Sequence, residues 1–427
     1  MSLLFGPMHQ HIDGHKEVTA HNEIIHLDVP EIIGVALSHG NIEANILVKE
    51  GDHVKIGTKL AERDDGFYVP IFSPVSGTVK SIEKRPSTSL KPVMHAIIEN
   101  DFREDTVELK TISEEASKEE IVEFIKQMGI IGCGGAGFPT YYKYQTDKCE
   151  HLLINAVECE PYITADARMI EEKSYYFKTG VRMLLKASGA RDCIICIKEE
   201  KKDLIELIDL MFEGDKRVSV LKLKDLYPMG WERVMVYETL NAQYERFPIE
   251  IGAIITSATT AIYVGRATIT GLPINEKIIT VSGDAVKSPH NVLARVGTPF
   301  RNLIEACGGY TSDEVIVLSG GPMMGTSLRS DEVTTRPAVN AITVLTYMVY
   351  EEYPCIRCGA CANNCPSGLR PVNIIQALKA KDFDRLQRLK VTDCVECGLC
   401  AYNCPSKIPV TENMRRAKRL LNARKQS

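Results

Sequence analysis

Cys355-Ile-Arg-Cys358-Gly-Ala-Cys361-Ala-Asn-Asn-Cys365-Pro366 and Cys394-Val-Glu-Cys397-Gly-Leu-Cys400-Ala-Tyr-Asn-Cys404-Pro405 are two copies of one pattern, C-x2-C-x2-C-x3-C-P. This spacing holds a pair of 4Fe–4S clusters. Each cube needs four thiolates from four corners. Three come from one tight loop, and in this pattern the fourth crosses over from the other run. One cluster is therefore expected on Cys355, Cys358, Cys361 and Cys404, the other on Cys394, Cys397, Cys400 and Cys365. Gly359 and Gly398 fall inside the loops, where a missing Cβ lets the backbone approach the cluster. Structural zinc and disulfides are the competing readings. Zinc sites, however, use paired C-x2-C units rather than a third and fourth cysteine at these intervals. Two neighbouring clusters of one kind pass single electrons, so the rest of the chain should say where electrons enter and leave.

The totals exclude several classes. The 427 residues are 44% hydrophobic and 25% charged, with a formal net charge of −5. Nothing here suggests a nucleic-acid partner or a polybasic surface. The basic tail from Arg415 to Lys425 reads as a solvated final helix. No apolar run approaches the length of a membrane span, so any membrane association is expected to come through a partner. The chain has 14 cysteines and no visible secretory signal, which argues for a reducing, cytosolic compartment.

Along the chain, His9, His11, His15, His21 and His26 match no metal-site spacing and are expected to pack irregularly. Residues 31–110 alternate short strands with turns such as Lys49-Glu-Gly-Asp52 and Ser73-Pro-Val-Ser-Gly77. They resemble the two halves of a biotinyl/lipoyl-type barrel-sandwich domain. The hairpin tip that carries a modified lysine in such modules reads Asp64-Asp65-Gly66-Phe67 here, so a scaffold is expected rather than a swinging arm. A charged helix over 114–128, with Ile121, Val122, Phe124 and Ile125 inward, leads into a glycine-rich loop. Strands at 152–155, 193–197 and 219–223 then alternate with helices, which predicts a largely parallel sheet. Cys193 and Cys196 lie on one such strand; an i, i+3 pair points to opposite faces, which argues for packing rather than a dithiol. Cys149 and Cys307 also read as packing. Short strands return after 265, with a helix at 300–306 and a Gly308-Gly309 stop, the order of a small β-grasp domain.

The glycine loop is the second anchor. Gly132, Gly134, Gly135 and Gly137 free backbone N–H groups to face an anion and let a flat ring lie on the main chain. A phosphate-bearing cofactor that feeds clusters with single electrons is a flavin. Cys133, inside the loop, is either a redox thiol with a depressed pKa or a small residue filling a turn.

The string Gly134-Gly-Ala-Gly-Phe-Pro-Thr140, followed by Lys143, resembles the FMN loop of the NADH-oxidising flavoprotein subunit of respiratory complex I. With Asn155-Ala-Val-Glu-Cys-Glu-Pro-Tyr162, Tyr227-Pro-Met-Gly230, Gly320-Gly-Pro-Met-Met-Gly325 and the cysteine runs, nearly the whole chain resembles the RnfC component of the Rnf electron-transport complex and its soluble relatives. The resemblance implies a multidomain α/β plus β protein: a barrel-sandwich domain over 1–110, an FMN- and NADH-binding α/β domain over 111–264, a soluble-ligand-binding β-grasp domain over 265–335, and an α-helical, ferredoxin-like two-cluster domain over 336–427. It implies that the Gly132–Gly137 loop, Phe138 and Lys143 hold FMN, and that Asn155, Glu158 and Glu160 line the isoalloxazine and nicotinamide site. Helix capping or surface charge is the competing reading of the two acids.

Some strings depart from the family pattern. An Asn-Val-x-Thr run is replaced by Ser257-Ala-Thr-Thr260, a Tyr-Pro-Gln-Gly string by Tyr227-Pro-Met-Gly230, and a Gln-His-x-Gly-x-Pro string by Ser38-His-Gly-Asn-Ile42. These point toward the branch of proline reductase-associated electron-transfer proteins of amino-acid-fermenting anaerobes, where Cys133 would match a position that can hold selenocysteine. The expected function is transfer of electrons from NADH through FMN and two 4Fe–4S clusters to a partner reductase, with D-proline reductase the first candidate. The alternatives are the membrane-associated Rnf component, a flavin-less relay and a cobalamin reductase.

Overall fold

A computed structural model describes residues 10–135 and 137–426; His9 lies outside them. The first layer is a pair of antiparallel sheets. One runs in the order Ile32–Ala36, Val93–Asn100, Gly77–Arg85, His53–Val54, and the other Asn45–Ile46, Lys59–Arg63, Val69–Phe72. Ile33, Val35, Leu60, Val79 and Ile98 alternate inward from both sheets to fill the sandwich. The turn between Lys59–Arg63 and Val69–Phe72 is the hairpin tip at which a carrier would display its lysine.

The α/β unit begins with helix Lys118–Gln127. Ser117 and Glu120 close a capping box at its start, and Ile121, Val122 and Ile125 are buried. Four parallel strands follow in the order Val218–Leu223, Asp192–Lys198, His151–Ala156, Ala253–Ser257. Leu152, Ile154, Cys193 and Ile195 pack under helices Ser174–Ser188 and Ala258–Thr270. Leu153, Cys196 and Ile255 face the other way, toward helix Glu232–Leu240. Cys193 and Cys196 thus sit in separate cores, as the strand period requires.

The third unit departs from the expected boundary. Its sheet runs Ile25–His26, His290–Arg295, Glu276–Ser282, Ala341–Thr346, Val315–Ser319, Thr326–Ser327, with helix Phe300–Ala306 packed against it. Strand Ala341–Thr346 lies beyond the expected limit at 335, in a stretch expected to be helical, yet it pairs on both sides in the middle of the sheet. The edge strand comes from the N-terminal stretch, which the sequence left irregular.

The last unit is helical: Ala360–Asn363, Pro371–Lys379, Phe383–Arg388, Leu399–Tyr402 and Val410–Gln426. The basic face of the final helix is not merely solvated. Arg415 and Lys418 both pair with Glu396, and Lys418 Nζ donates to the Cys394 carbonyl at 2.8 Å. No helix among the described residues is long and apolar enough to cross a membrane.

Candidate functional site

The glycine loop closes on itself. Gly132 N–H donates to the Phe138 carbonyl at 2.8 Å and Gly137 N–H to the Gly132 carbonyl at 3.1 Å. Gly135 has φ +110°, a conformation L side chains rarely adopt, and nothing lies within 4 Å of where its Cβ would be. Gly134 and Gly135 are exposed, and a Cβ on Gly134 would come 3.3 Å from that of Ser257. Ser257 caps helix Ala258–Thr270, accepting the Thr260 N–H at 3.3 Å. The loop therefore overlies the positive end of a 13-residue helix, an arrangement that favours phosphate. The departure Ser257-Ala-Thr-Thr260 is part of this support, because Thr260 Oγ1 accepts the Cys133 N–H at 2.9 Å. Sequence reading missed Thr260 as a loop support; the Ser-x-x-Thr spacing before an apolar helix was its signal.

Cys133 had two readings in sequence. Its thiol is fully buried and points at the Ile131 carbonyl, and burial pushes its pKa up to about 11 rather than down. The turn-filling reading is the one this geometry matches. Lys143 differs from expectation. Its Nζ donates to the Ile255 carbonyl at 2.9 Å, and burial lowers its pKa. Phe138 stands edge-on to Phe67 and Tyr142 beside the loop.

Asn155, one residue before the end of its strand, donates through Nδ2 to the Gly230 carbonyl at 2.8 Å. Beyond it, the two acids separate. Glu158 Oε1 accepts the Asp166 N–H at 2.7 Å, in the first turn of helix Ala165–Glu172. Its Oε2 lies 3.8 Å from Lys16 Nζ, buried and without a hydrogen bond. Burial, opposed by Lys16 and reinforced by Asp166, lifts this carboxyl to about 7. Lys16 comes from the N-terminal stretch and also donates to the Glu160 carbonyl at 3.0 Å, a role the sequence did not reveal. Nearby, His15 stacks on Tyr162 with ring centres 4.8 Å apart.

The raised Glu158 pKa sets a pH dependence. The folded protein keeps this proton between about 4.5 and about 7, where the unfolded chain has lost it, so stability falls as pH rises through that window and is level above it. Glu158→Gln is expected to remove the decline. Chemical unfolding at pH 5 and pH 8 checks this: the variant should gain on wild type between the two, and parallel losses would refute the assignment.

Glu160 was expected to line the ring site; here it ties domains together. Its Oε1 accepts the N–H groups of Met323 and Met324 at 2.7 and 2.9 Å, and its Oε2 lies 3.4 Å from the Tyr227 hydroxyl. That hydroxyl donates to the Cys397 carbonyl at 2.7 Å. A Cβ on Gly398 would fall 2.7 Å from the Met323 carbonyl, so the Gly320–Gly325 loop rests directly on the second cysteine loop.

The two cysteine loops repeat one geometry. Gly359 and Gly398 both have positive φ and precede a single helical turn, and Arg357 and Glu396 share φ near +57°. A cavity between the loops is lined by Cys394, Cys397 and Cys400 together with Cys365 from the other run. Cys361 is buried, Cys404 half-buried, and Cys355 and Cys358 are exposed. An all-thiol donor set in two loops of matching geometry fits 4Fe–4S clusters, and the open glycine cradle over a helix N-terminus fits FMN.

Four family descriptions match the chain: the RnfC barrel sandwich hybrid domain over residues 8–103, the Nuo51 FMN-binding domain over 125–266, the SLBB domain over 278–327 and a 4Fe-4S dicluster domain over 354–408. The RnfC component of the Na(+)-translocating ferredoxin:NAD(+) oxidoreductase complex of Acetobacterium woodii is 32% identical over 96% of this chain and 95% of its own length. Its counterpart in the proton-translocating ferredoxin:NAD(+) oxidoreductase complex of Clostridium ljungdahlii is 32% identical over 87% of this chain and 84% of its own. The counterpart in an ion-translocating oxidoreductase complex of Cronobacter sakazakii is 36% identical over 90% of this chain, which spans 51% of that protein. Among solved structures, an NAD+-reducing [NiFe]-hydrogenase in the H2-reduced state superposes with a TM-score of 0.52 at 16% identity. The match covers 72% of this chain and 63% of that one, a likeness of fold.

Proposed function

From the premise that this chain belongs to the RnfC family, electron-transfer proteins carrying FMN and 4Fe–4S clusters, we propose that it exchanges electrons between NAD(H) and a one-electron partner within an Rnf-type complex. FMN held at the glycine loop would supply the exchange between a hydride and single electrons, and the clusters one-electron carriage. The chain's own residues supply position. Gly134 and Gly135, exposed over the positive end of helix Ala258–Thr270, would offer their N–H groups to the phosphate. Cys365, Cys394, Cys397 and Cys400, which line one cavity, would hold the inner cluster, and Cys355, Cys358, Cys361 and Cys404 would hold the outer one.

The observation that carries the reading is the continuous polar and packed connection between the two regions. Asn155 holds Gly230, Tyr227 of the same turn holds Cys397, and Glu160 holds the loop on which Gly398 rests. The exposed Cys355 and Cys358 put the outer set where a partner protein can approach. Attachment to a membrane would come through such a partner.

The test is anaerobic. The protein, reconstituted with iron, sulfide and FMN, is mixed with NADH and followed by its visible spectrum. Loss of both flavin and cluster absorption is the expected result. Bleaching by dithionite but not by NADH would overturn the reading and leave a relay fed by another protein. D-proline reductase as acceptor is a second reading, favoured by the Ser38–Ile42, Tyr227–Gly230 and Ser257–Thr260 departures and by the place of Cys133 in the glycine loop. Faster reoxidation of the reduced protein by D-proline reductase than by the other Rnf components would select it.

A further inference from the structure

The barrel-sandwich domain has the outline of a carrier without the carried group, and the proposed function gives it no task. Its hairpin tip faces the glycine loop. Phe67 stands edge-on to Phe138 and to Tyr142, with ring centres 5.5 and 5.0 Å apart. Tyr68 N–H donates to the Tyr141 hydroxyl at 3.0 Å. The Pro70 carbonyl lies 2.6 Å from where a Cβ on Gly129 would be, so that approach depends on glycine. One residue before Phe138, His39 Nε2 meets the Gly137 carbonyl at 2.5 Å.

The histidine's partners fix its protons. Arg63 Nη1 lies 2.8 Å from His39 Nδ1, and a guanidinium only donates. Nδ1 is therefore the acceptor, and the ring's one proton sits on Nε2, aimed at Gly137. Arg63 is itself held by Asp65 and lies over the Phe67 ring, 5.3 Å from its centre. Phe67 and Arg63, two residues of one hairpin, thus both hold the end of the loop at Gly137 and Phe138, the second through His39.

We propose that this hairpin is a clamp, in which His39, Arg63 and Phe67 are positioning residues that hold the glycine loop in its binding conformation. The proposal rests on FMN being held at that loop. It accounts for a carrier-like tip whose lysine position is filled by Asp64-Asp65-Gly66-Phe67: the tip has a fixed docking place rather than a travelling load. It also gives a role to the Ser38–Ile42 string. Ser38 accepts Arg336 through its backbone carbonyl, which anchors the strand end that carries His39.

A pH dependence follows. The groups facing His39 are Arg63, Arg336, Asp65 and the Gly137 carbonyl, and burial first, then the two arginines, hold the imidazole pKa below its usual value. Protonation would place an N–H on Nδ1 against the Arg63 guanidinium, so the clamp should loosen only as pH falls through that lowered pKa.

The experiment compares full-length wild type, His39→Ala, Phe67→Ala and His39→Gln. Gln keeps a neutral donor near Nε2 and an acceptor for Arg63. Two readouts are taken: amide hydrogen exchange of the 130–140 segment in flavin-free protein, and FMN affinity by flavin fluorescence quenching across pH. Both alanine variants should exchange faster in this segment and bind FMN roughly tenfold more weakly, with cluster iron unchanged. His39→Gln should restore affinity near neutrality and lack the acid-side loss that wild type shows beyond the phosphate's own titration. Unchanged exchange in both alanine variants overturns the clamp. Faster exchange with unchanged FMN affinity leaves the clamp standing and overturns the assignment of FMN to this loop.

Discussion

Cys365→Ala is expected to cost the protein about half of its iron and acid-labile sulfide, and the cluster lost is not that of its own sequence run. Cys365 lies with Cys394, Cys397 and Cys400 around one cavity. Cys355→Ala and Cys394→Ala provide the comparison. If the runs cross over, Cys365→Ala and Cys394→Ala leave the same residual electron paramagnetic resonance spectrum, and Cys355→Ala leaves the other. If each run keeps its own cluster, Cys365→Ala instead matches Cys355→Ala. Full iron content in Cys365→Ala would remove this thiol from the ligand set altogether. The functional outcome is also asymmetric. The inner cavity abuts Tyr227 and the Gly320–Gly325 loop, so losing it should cut NADH-driven reduction of the outer cluster, whereas losing the outer set should leave the inner one reducible.

Gly265→Ala should unfold the flavin-binding unit at a lower temperature than any surface change could achieve. Helices Ser174–Ser188 and Ala258–Thr270 touch backbone to backbone. A Cβ on Gly265 would lie 1.9 Å from the Tyr176 carbonyl oxygen, and one on Gly180 only 1.7 Å from that of Ala261. Neither clash can be relieved by a rotamer, so the helices must part. Forced repacking costs about 1–3 kcal/mol, and a backbone clash on both helices puts this one near the upper end. For a unit of this size that is roughly a 10 °C drop in Tm, readable by differential scanning calorimetry. The displaced helix begins at Ser257 under Gly134, so FMN affinity should fall as well, while cluster iron holds. An unchanged Tm would show that the crossing is looser than this spacing indicates.

The parts legible in sequence are those whose cause is local. The cysteine runs carry their loop geometry in their spacing. Ile121, Val122 and Ile125 marked a helix by their spacing, and the i, i+3 offset of Cys193 and Cys196 fixed them on opposite faces. The parts that were not legible depend on distant partners. Ala341–Thr346 is a short apolar run whose identity as a strand comes from Glu276–Ser282 and Val315–Ser319 on its two sides. Glu160 reads as a site acid until the loop it binds, more than 160 residues later, is in view. Cys133 stayed open because a glycine-rich context implies exposed N–H groups, whereas the fold turns the thiol inward onto a carbonyl.

The β-grasp sheet is sewn from both ends of the chain, with Ile25–His26 at one edge and Ala341–Thr346 in the middle. During synthesis this imposes an order. The barrel-sandwich and α/β units have all their strands as soon as they leave the ribosome, but the edge strand must wait for His290–Arg295, and the sheet stays split until residue 346 emerges. Cys355 follows only a short stretch later. The cluster loops therefore emerge onto a platform already bearing Tyr227 and Met323, and helix Val410–Gln426 then closes over them from behind, through Arg415 and Lys418 on Glu396.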